Sequence, residues 1–240
     1  MEPAPDLCEN ATFKPIELPS QTCPFSSCAI TILFLVNTAH QGLNTLSRLN
    51  AIEAERDQWQ RPSDVIQALD LRPGNVVVDL GCGSGYFTLK LSAPVGKSGS
   101  VLAEDIRRLP LVFLWFRKFQ KNERNVRVLH GDPNDPHLPI QDVNAVLIAN
   151  RYHEFTDSQA ILAYVFRSLV SGGRLVVVDR GPQPVGAGSR ETATEHHEVS
   201  PEQVERELRQ AGFEIVSRQD RFIENDPFNK EWWLITARKP

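Results

Sequence analysis

From residue 75 onward, short β-branched runs alternate with stretches of helical period, and this alternation restricts the chain to few folds. "NVVVDL" reads as a buried strand, and the helix after it carries Tyr86, Phe87, Leu89 and Leu91. "SVLAED", residues 100–105, is a second strand. In "RLPLVFLWFRKFQ" Val112, Trp115, Phe116 and Phe119 recur at i, i+3, i+4, i+7, a helix whose aromatics, Phe113 included, are expected to face the sheet. Its "FLWF" is also apolar enough to contribute to a partner surface. "NVRVLHGD" and "NAVLIAN" are further strands, then come a helix from about Ser158 and the strand "GGRLVVVDR". "SPEQVERELRQAGF" has helix punctuation: Ser200 as N-cap, Pro201 at the first position, Gln203 completing a capping box and Gly212 at the end. "EIVSRQ" and "WWLITAR" close the chain with no helix between them. The expected fold is a doubly wound α/β domain with a mostly parallel sheet and an antiparallel C-terminal hairpin at one edge.

The 240 residues, 41% of them hydrophobic, suffice for one such core plus a tail. Residues 43–240 are expected to form the domain, with 43–73 a helical lead-in, and residues 1–42 a tail with a short apolar segment. Five prolines between Pro3 and Pro24 break up the first 27 residues. "CAITILFLV", residues 28–36, is shorter than the roughly 20 residues of a membrane-spanning helix. The acids Glu2, Asp6, Glu9 and Glu17 precede it against a single Lys14, the wrong charge sign for a signal peptide. No stable membrane span is expected. Packing on the domain and a cytoplasmic location are therefore favoured, with secretion or membrane association through residues 28–39 as the alternative. A net charge of −4 without a long basic run speaks against a general nucleic-acid surface. Cys8, Cys23, Cys28 and Cys82 form no CxxC pair and no zinc spacing, so no metal is expected, and a disulfide among the first three is the lesser reading. Nothing in the sequence indicates an oligomeric state.

Ligands of open α/β sheets bind at the carboxyl ends of the strands. After the first strand, "DLGCGSG" supplies Gly81, Gly83 and Gly85 around Cys82 and Ser84, a turn that lets backbone approach a ligand, with amides pointing outward at the helix start. A nucleotide fingerprint G-x-G-x-x-G places its third glycine one residue later, and no Gly-Lys-Ser/Thr of a P-loop follows. Asp79 also puts negative charge where a pyrophosphate is disfavoured and an ammonium or other cation is attracted. The second strand ends in Glu104-Asp105, acids placed to accept ribose hydroxyls, the third in Gly131-Asp132, and the fourth in Asn150-Arg151-Tyr152-His153-Glu154.

"VVVDLGCGSGYFT", the Glu104-Asp105 pair, "HGD" at 130–132 and "SGGRLVVVD" at 171–179 together resemble the ordered motifs of the class I S-adenosylmethionine-dependent methyltransferases, over roughly residues 60–240. "ERDQWQRPSDVI" and "YHEF" resemble a small-molecule-type bacterial branch of that family. The resemblance implies a seven-stranded Rossmann-like sheet and S-adenosylmethionine as cofactor. Asp79 and the loop Gly81, Cys82, Gly83 and Gly85 would cradle its methionine part, Asp105 (or Glu104) the ribose, and Asp132 beside Gly131 the adenine. Asn150 to His153 would then face the methyl group. His153 is the candidate general base with Tyr152 beside it, or else a residue that shapes the pocket by bonding the loop backbone. Cys82 reads as a small packed side chain rather than a nucleophile.

The expected function is methyl transfer to a small-molecule acceptor. A non-catalytic S-adenosylmethionine binder of the same fold and an NAD-dependent oxidoreductase are the alternatives. His196-His197-Glu198 favours loop or substrate contact over a metal site, and Asp179-Arg180 is either part of the substrate pocket or a surface pair. Residues 181–195 read as a Gly/Pro/Ser-rich loop where a substrate lid would sit, or as an ordinary surface loop.

Overall fold

The computed structural model describes residues 44–181 and 197–240. The tail with its apolar run and three cysteines, His196, and all of the 181–195 loop except Gly181 lie outside the described residues. The chain divides into two units, Met1–Thr45 and Leu46–Pro240, and the fold below is that of the second.

Seven strands form one sheet in the order β3-β2-β1-β4-β5-β7-β6. They are β1 Val76–Leu80, β2 Ser100–Asp105, β3 Val126–His130, β4 Val143–Ala149, β5 Leu169–Arg180, β6 Glu214–Ile223 and β7 Trp232–Arg238. The first five pair in parallel, and β7 pairs antiparallel with both β5 and β6. The chain leaves β1 in one direction and returns at β4 on its other side, so the switch point lies between the carboxyl ends of these two strands. The helices are α1 (residues 44–59), α2 (Pro62–Ala68), α3 (Tyr86–Val95), α4 (Arg108–Gln120), α5 (Ser158–Ser168) and α6 (Pro201–Gln210). Two apolar clusters cover the two faces of the sheet, one around Phe87, Leu91 and Leu114, the other around Leu162, Leu208 and Trp233. That double coverage is why the strands read as continuous Val/Ile/Leu runs rather than alternating ones. No helix among the described residues is long and apolar enough to cross a membrane.

Two helices refine the sequence expectation. Ser200 caps α6 by accepting from the Gln203 amide at 3.3 Å, but the Gln203 side chain turns to Glu207 at 3.0 Å, so only half of the capping box forms. Helix α4 faces the sheet with Leu111, Leu114 and Arg117, whereas Val112, Trp115 and Phe116 are half-exposed and Phe119 is 75% exposed. The expected inward face of α4 is therefore the outward one. Both sides of this helix are apolar, and position 117 faces inward because its guanidinium finds partners there: it is 3% exposed, its Nη1 donates to Glu53 of α1 at 2.7 Å and to the Ser84 carbonyl at 2.6 Å. Outside, Trp115 stacks on Phe119 with ring centroids 6.1 Å apart.

The turn after β1 has no room for extra atoms. Gly85 caps α3 at φ +91°, and a Cβ there would meet Leu114 Cδ1 at 2.4 Å. We expect Gly85→Ala to destabilise the fold by about 1–3 kcal/mol, from the left-handed backbone and overpacking combined. Denaturant unfolding of the pair checks this; an unchanged midpoint would contradict the tight packing of α4 on the turn.

Candidate functional site

The glycine turn is tied to the end of β2. The Glu104 carbonyl accepts from the amides of Gly81 at 2.9 Å and Cys82 at 2.8 Å, and the Asp105 carboxylate accepts from Gly83 at 2.8 Å. These three amides are thus engaged within the protein: buried N–H groups need partners, and a strand end with two acids supplies them. Cys82 is buried, its thiol directed at the Gly83 carbonyl and pushed upward in pKa by burial and the surrounding acids.

Three carboxylates converge here. Asp79 is 2% exposed and accepts from Thr88 Oγ1 at 2.5 Å; burial, with Asp105 nearby, raises its pKa to about 6. Glu104 lies against Gly131, where a Cβ would stand 1.9 Å from its Oε1, and burial, with Asp105 and Asp79, raises it to about 8. Burial would raise Asp105 as well, but the Arg107 side chain and amide, with Gly83, outweigh it and hold this carboxylate below its ordinary value. So the end of β2 carries one charged acid and one protonated near neutral pH.

Two cavities flank the turn. The first, about 210 Å³, is lined by Glu104, Asp105, Asp132 and apolar residues including Ile106, Pro133 and Phe155. The second, about 130 Å³, is lined by Asp79, the Gly81–Ser84 segment, Tyr86 and Asn150. Gly81 and Arg151 belong to both. Arg151 crosses between them: its Nε donates to the Gly81 carbonyl at 3.3 Å and its Nη1 to Glu154 at 2.5 Å, and a Cβ on Gly81 would meet its Cγ at 2.6 Å. Asn150 sits at φ +55°, a conformation asparagine tolerates, with its amide held by the Val178 carbonyl at 2.7 Å. Of the residues singled out from sequence, Asp79, Gly81, Cys82, Gly83, Glu104, Asp105, Asp132 and Asn150 line these cavities. Gly85 and Gly131 stand behind them as close-packed backbone.

The candidate acid–base pair lies deeper. His153 is buried, its Nδ1 2.8 Å from Asp179 Oδ1 and its amide donating to Asp179 Oδ2 at 3.1 Å. Asp179 is 0% exposed, which removes the surface-pair reading, and the 26 residues between the two positions hid this contact from sequence reasoning. The Tyr152 hydroxyl meets Glu207 at 2.6 Å, toward α6. Neither His153 nor Tyr152 lines the two cavities. Donor atoms of His153, Glu154 and His197 lie within 4.8 Å of one another, a spacing that a metal ion could use after rotamer adjustment. Glu198 instead pairs with Lys230 at 2.5 Å, so the adjacent His197 and Glu198 do not converge.

The acid cluster predicts a pH effect. A carboxyl raised from 4.5 to about 8 on folding stabilises the fold fully below the lower value, and that contribution is lost as pH rises through the upper one. Glu104→Gln, which mimics the protonated form, should raise stability at pH 9 by about 1–3 kcal/mol and change little at pH 5. Thermal melts at the two pH values test this; an equal effect at both would contradict the raised pKa.

The model of the ubiE/COQ5 methyltransferase family matches residues 43–185. The chain is 34% identical over 127 residues to the ubiquinone/menaquinone biosynthesis C-methyltransferase UbiE of Pasteurella multocida, covering 50% of this chain and 45% of that protein. It is 33% identical over 144 residues to the demethylmenaquinone methyltransferase of Thermus thermophilus, covering 59% and 62% respectively. The chain thus spans about half to three fifths of the length of these relatives. In structure it resembles a SAM-dependent methyltransferase from Aquifex aeolicus, with a TM-score of 0.65 at 22% identity, over 80% of this chain and 97% of that one.

Proposed function

The chain belongs to the ubiE/COQ5 methyltransferase family, and from that premise we propose that it transfers the methyl group of S-adenosylmethionine to a small-molecule acceptor. The observation that carries the reading is the pair of cavities joined at Gly81, with acids at both ends; among the described residues Arg107 and Arg151 are the cations lining the first, and Arg56 and Arg151 those lining the second. The donor set fits this cofactor. A sulfonium with an ammonium group and two ribose hydroxyls suits Asp79, Glu104 and Asp105, whereas the charge on Asp105 and Asp79 disfavours a pyrophosphate, which argues against a nicotinamide dinucleotide.

In this reading the charged Asp105 accepts from the ribose, and Glu104, protonated near neutral pH, both accepts and donates. The apolar walls of the first cavity take the adenine, with Asp132 at its rim, and the second cavity holds the amino-acid end near Asp79. The cofactor supplies an electrophilic methyl on a sulfonium; the protein's part is to align an acceptor with it. Asn150, at the switch point, stands where that alignment is set. His153, oriented by Asp179, acts on the acceptor's proton only if an acceptor or loop movement brings the two into contact; otherwise it holds the Asn150–Glu154 segment in place.

Calorimetry with S-adenosylhomocysteine should give single-site binding. Asp105→Ala should weaken it at least tenfold and Gly83→Arg should abolish it. Transfer of labelled methyl from S-adenosylmethionine across a metabolite panel separates an enzyme from a binder. A folded protein that binds neither compound would overturn the assignment.

A further inference from the structure

A second group of reactive side chains gathers where β4 and β5 end. His153 and Glu154 follow β4, Asp179 is the last residue but one of β5, and His197 opens the segment that returns to α6. That segment is tied to β5 by Val199, whose amide donates to the Arg180 carbonyl at 2.9 Å. Ligand atoms of His153, Glu154 and His197 all lie within 4.8 Å of one another, with His153 Nε2 3.9 Å from Glu154 Oε1. The two imidazoles meet edge-to-face, their ring centroids 5.4 Å apart and their planes at 84°. Two imidazoles that share one ion at a metal–nitrogen distance of about 2.0–2.1 Å hold their centroids about 5 Å apart, close to this arrangement.

His153 is prepared for such a role by what lies behind it. Its Nδ1 is 2.8 Å from Asp179 Oδ1, and the same carboxylate accepts from the amides of His153 at 3.1 Å and Arg180 at 2.8 Å. Three donors on one fully buried acid keep the imidazole proton on Nδ1, so Nε2 is the acceptor nitrogen and faces Glu154. A carboxylate behind one ring nitrogen, with the other turned to further ligand groups, is the support that orients a metal-binding histidine. Glu154 is supported too, because Arg151 Nη1 donates to its Oε1 at 2.5 Å. His197 is held through its backbone, its carbonyl accepting from Arg180 Nε at 3.1 Å. A tetrahedral ion needs ligand atoms about 3.3 Å apart, a closure of at most about 1.5 Å that the exposed side chains of Glu154 and His197 make by changing rotamer around the fixed His153.

We propose that His153, Glu154 and His197 bind one divalent first-row transition ion of the Zn²⁺ type, with Asp179 as the positioning residue behind His153. Two imidazoles select such an ion over Mg²⁺ or Ca²⁺, and three protein ligands leave a coordination position for water or another oxygen. The ion fastens the segment before α6 to the end of β4, at the rim of the first cavity, which Arg151 and Glu154 line. While it is bound, His153 holds the Asn150–Glu154 segment and takes up no proton.

Calorimetric titration of the chelator-treated full chain with Zn²⁺, Co²⁺ and Mg²⁺ tests this. Expected are one Zn²⁺ per chain, a Co²⁺ complex with the visible absorption of a four- or five-coordinate ion, and Mg²⁺ binding at least a hundredfold weaker. Glu154→Gln and His197→Gln should each weaken Zn²⁺ at least tenfold, and Asp179→Asn by about ten- to a hundredfold. If Asp179→Asn fails to fold, the two exposed positions decide. Replacing Cys8, Cys23 and Cys28 together by serine should leave the affinity within twofold, which separates this site from the other thiols. The proposal is overturned if Zn²⁺ does not bind, if Glu154→Gln or His197→Gln leaves its affinity unchanged, or if the serine replacements abolish binding. S-adenosylhomocysteine binding to the metal-free chain reports on the methyl-donor reading alone, so the two stand or fall separately.

Discussion

The site depends on one backbone oxygen. The Glu104 carbonyl takes the amides of both Gly81 and Cys82, and the next carboxylate takes that of Gly83. With three amides fixed, the turn after β1 has one shape, and the helix it launches has one direction. The cost is that Glu104 and Asp105 are drawn to within reach of Asp79 in a buried place, where three full negative charges would repel strongly. The chain resolves this unevenly: Asp105 keeps its charge through Arg107, while Glu104 and Asp79 are pushed upward. An asymmetric set of neighbouring acids can present both a donor and an acceptor to a polyhydroxylic ligand.

A second constraint comes from below. Arg117 joins α1, α4 and the turn through Glu53 and the Ser84 carbonyl, with little exposure to water. Buried ion pairs contribute less net stability than their geometry suggests, yet removing one partner strands the other. The pair therefore fixes where α1 stands, and α1 supplies Arg56, Trp59 and Gln60 to the wall of a cavity of about 230 Å³ that shares Arg56 and Asn150 with the second. A contact remote from the glycine turn in sequence thus sets one wall of the region beside it.

The parts of this arrangement legible in sequence were those with local signatures. The strands of the parallel sheet followed from β-branched runs, the closing antiparallel strands from the missing helix between them, and the turn from three glycines in five residues. The orientation of α4 was not legible, because Leu111 and Leu114 on one side and Val112, Trp115 and Phe119 on the other satisfy a helical period equally, and a buried arginine decided between them. Nor was the His153–Asp179 contact, which joins two strand ends with nothing local to mark it.

Arg151 has a consequence for how the two flanking cavities fill. Its aliphatic stem rests on Gly81 and its guanidinium is held by the Gly81 carbonyl and Glu154, so it lies on the line from one cavity to the other. A molecule long enough to reach both must pass over this side chain or move it aside, and moving it breaks an ion pair at the surface. The two cavities are thus divided by one side chain, and its pair with Glu154, partly open to water, weakens as ionic strength rises.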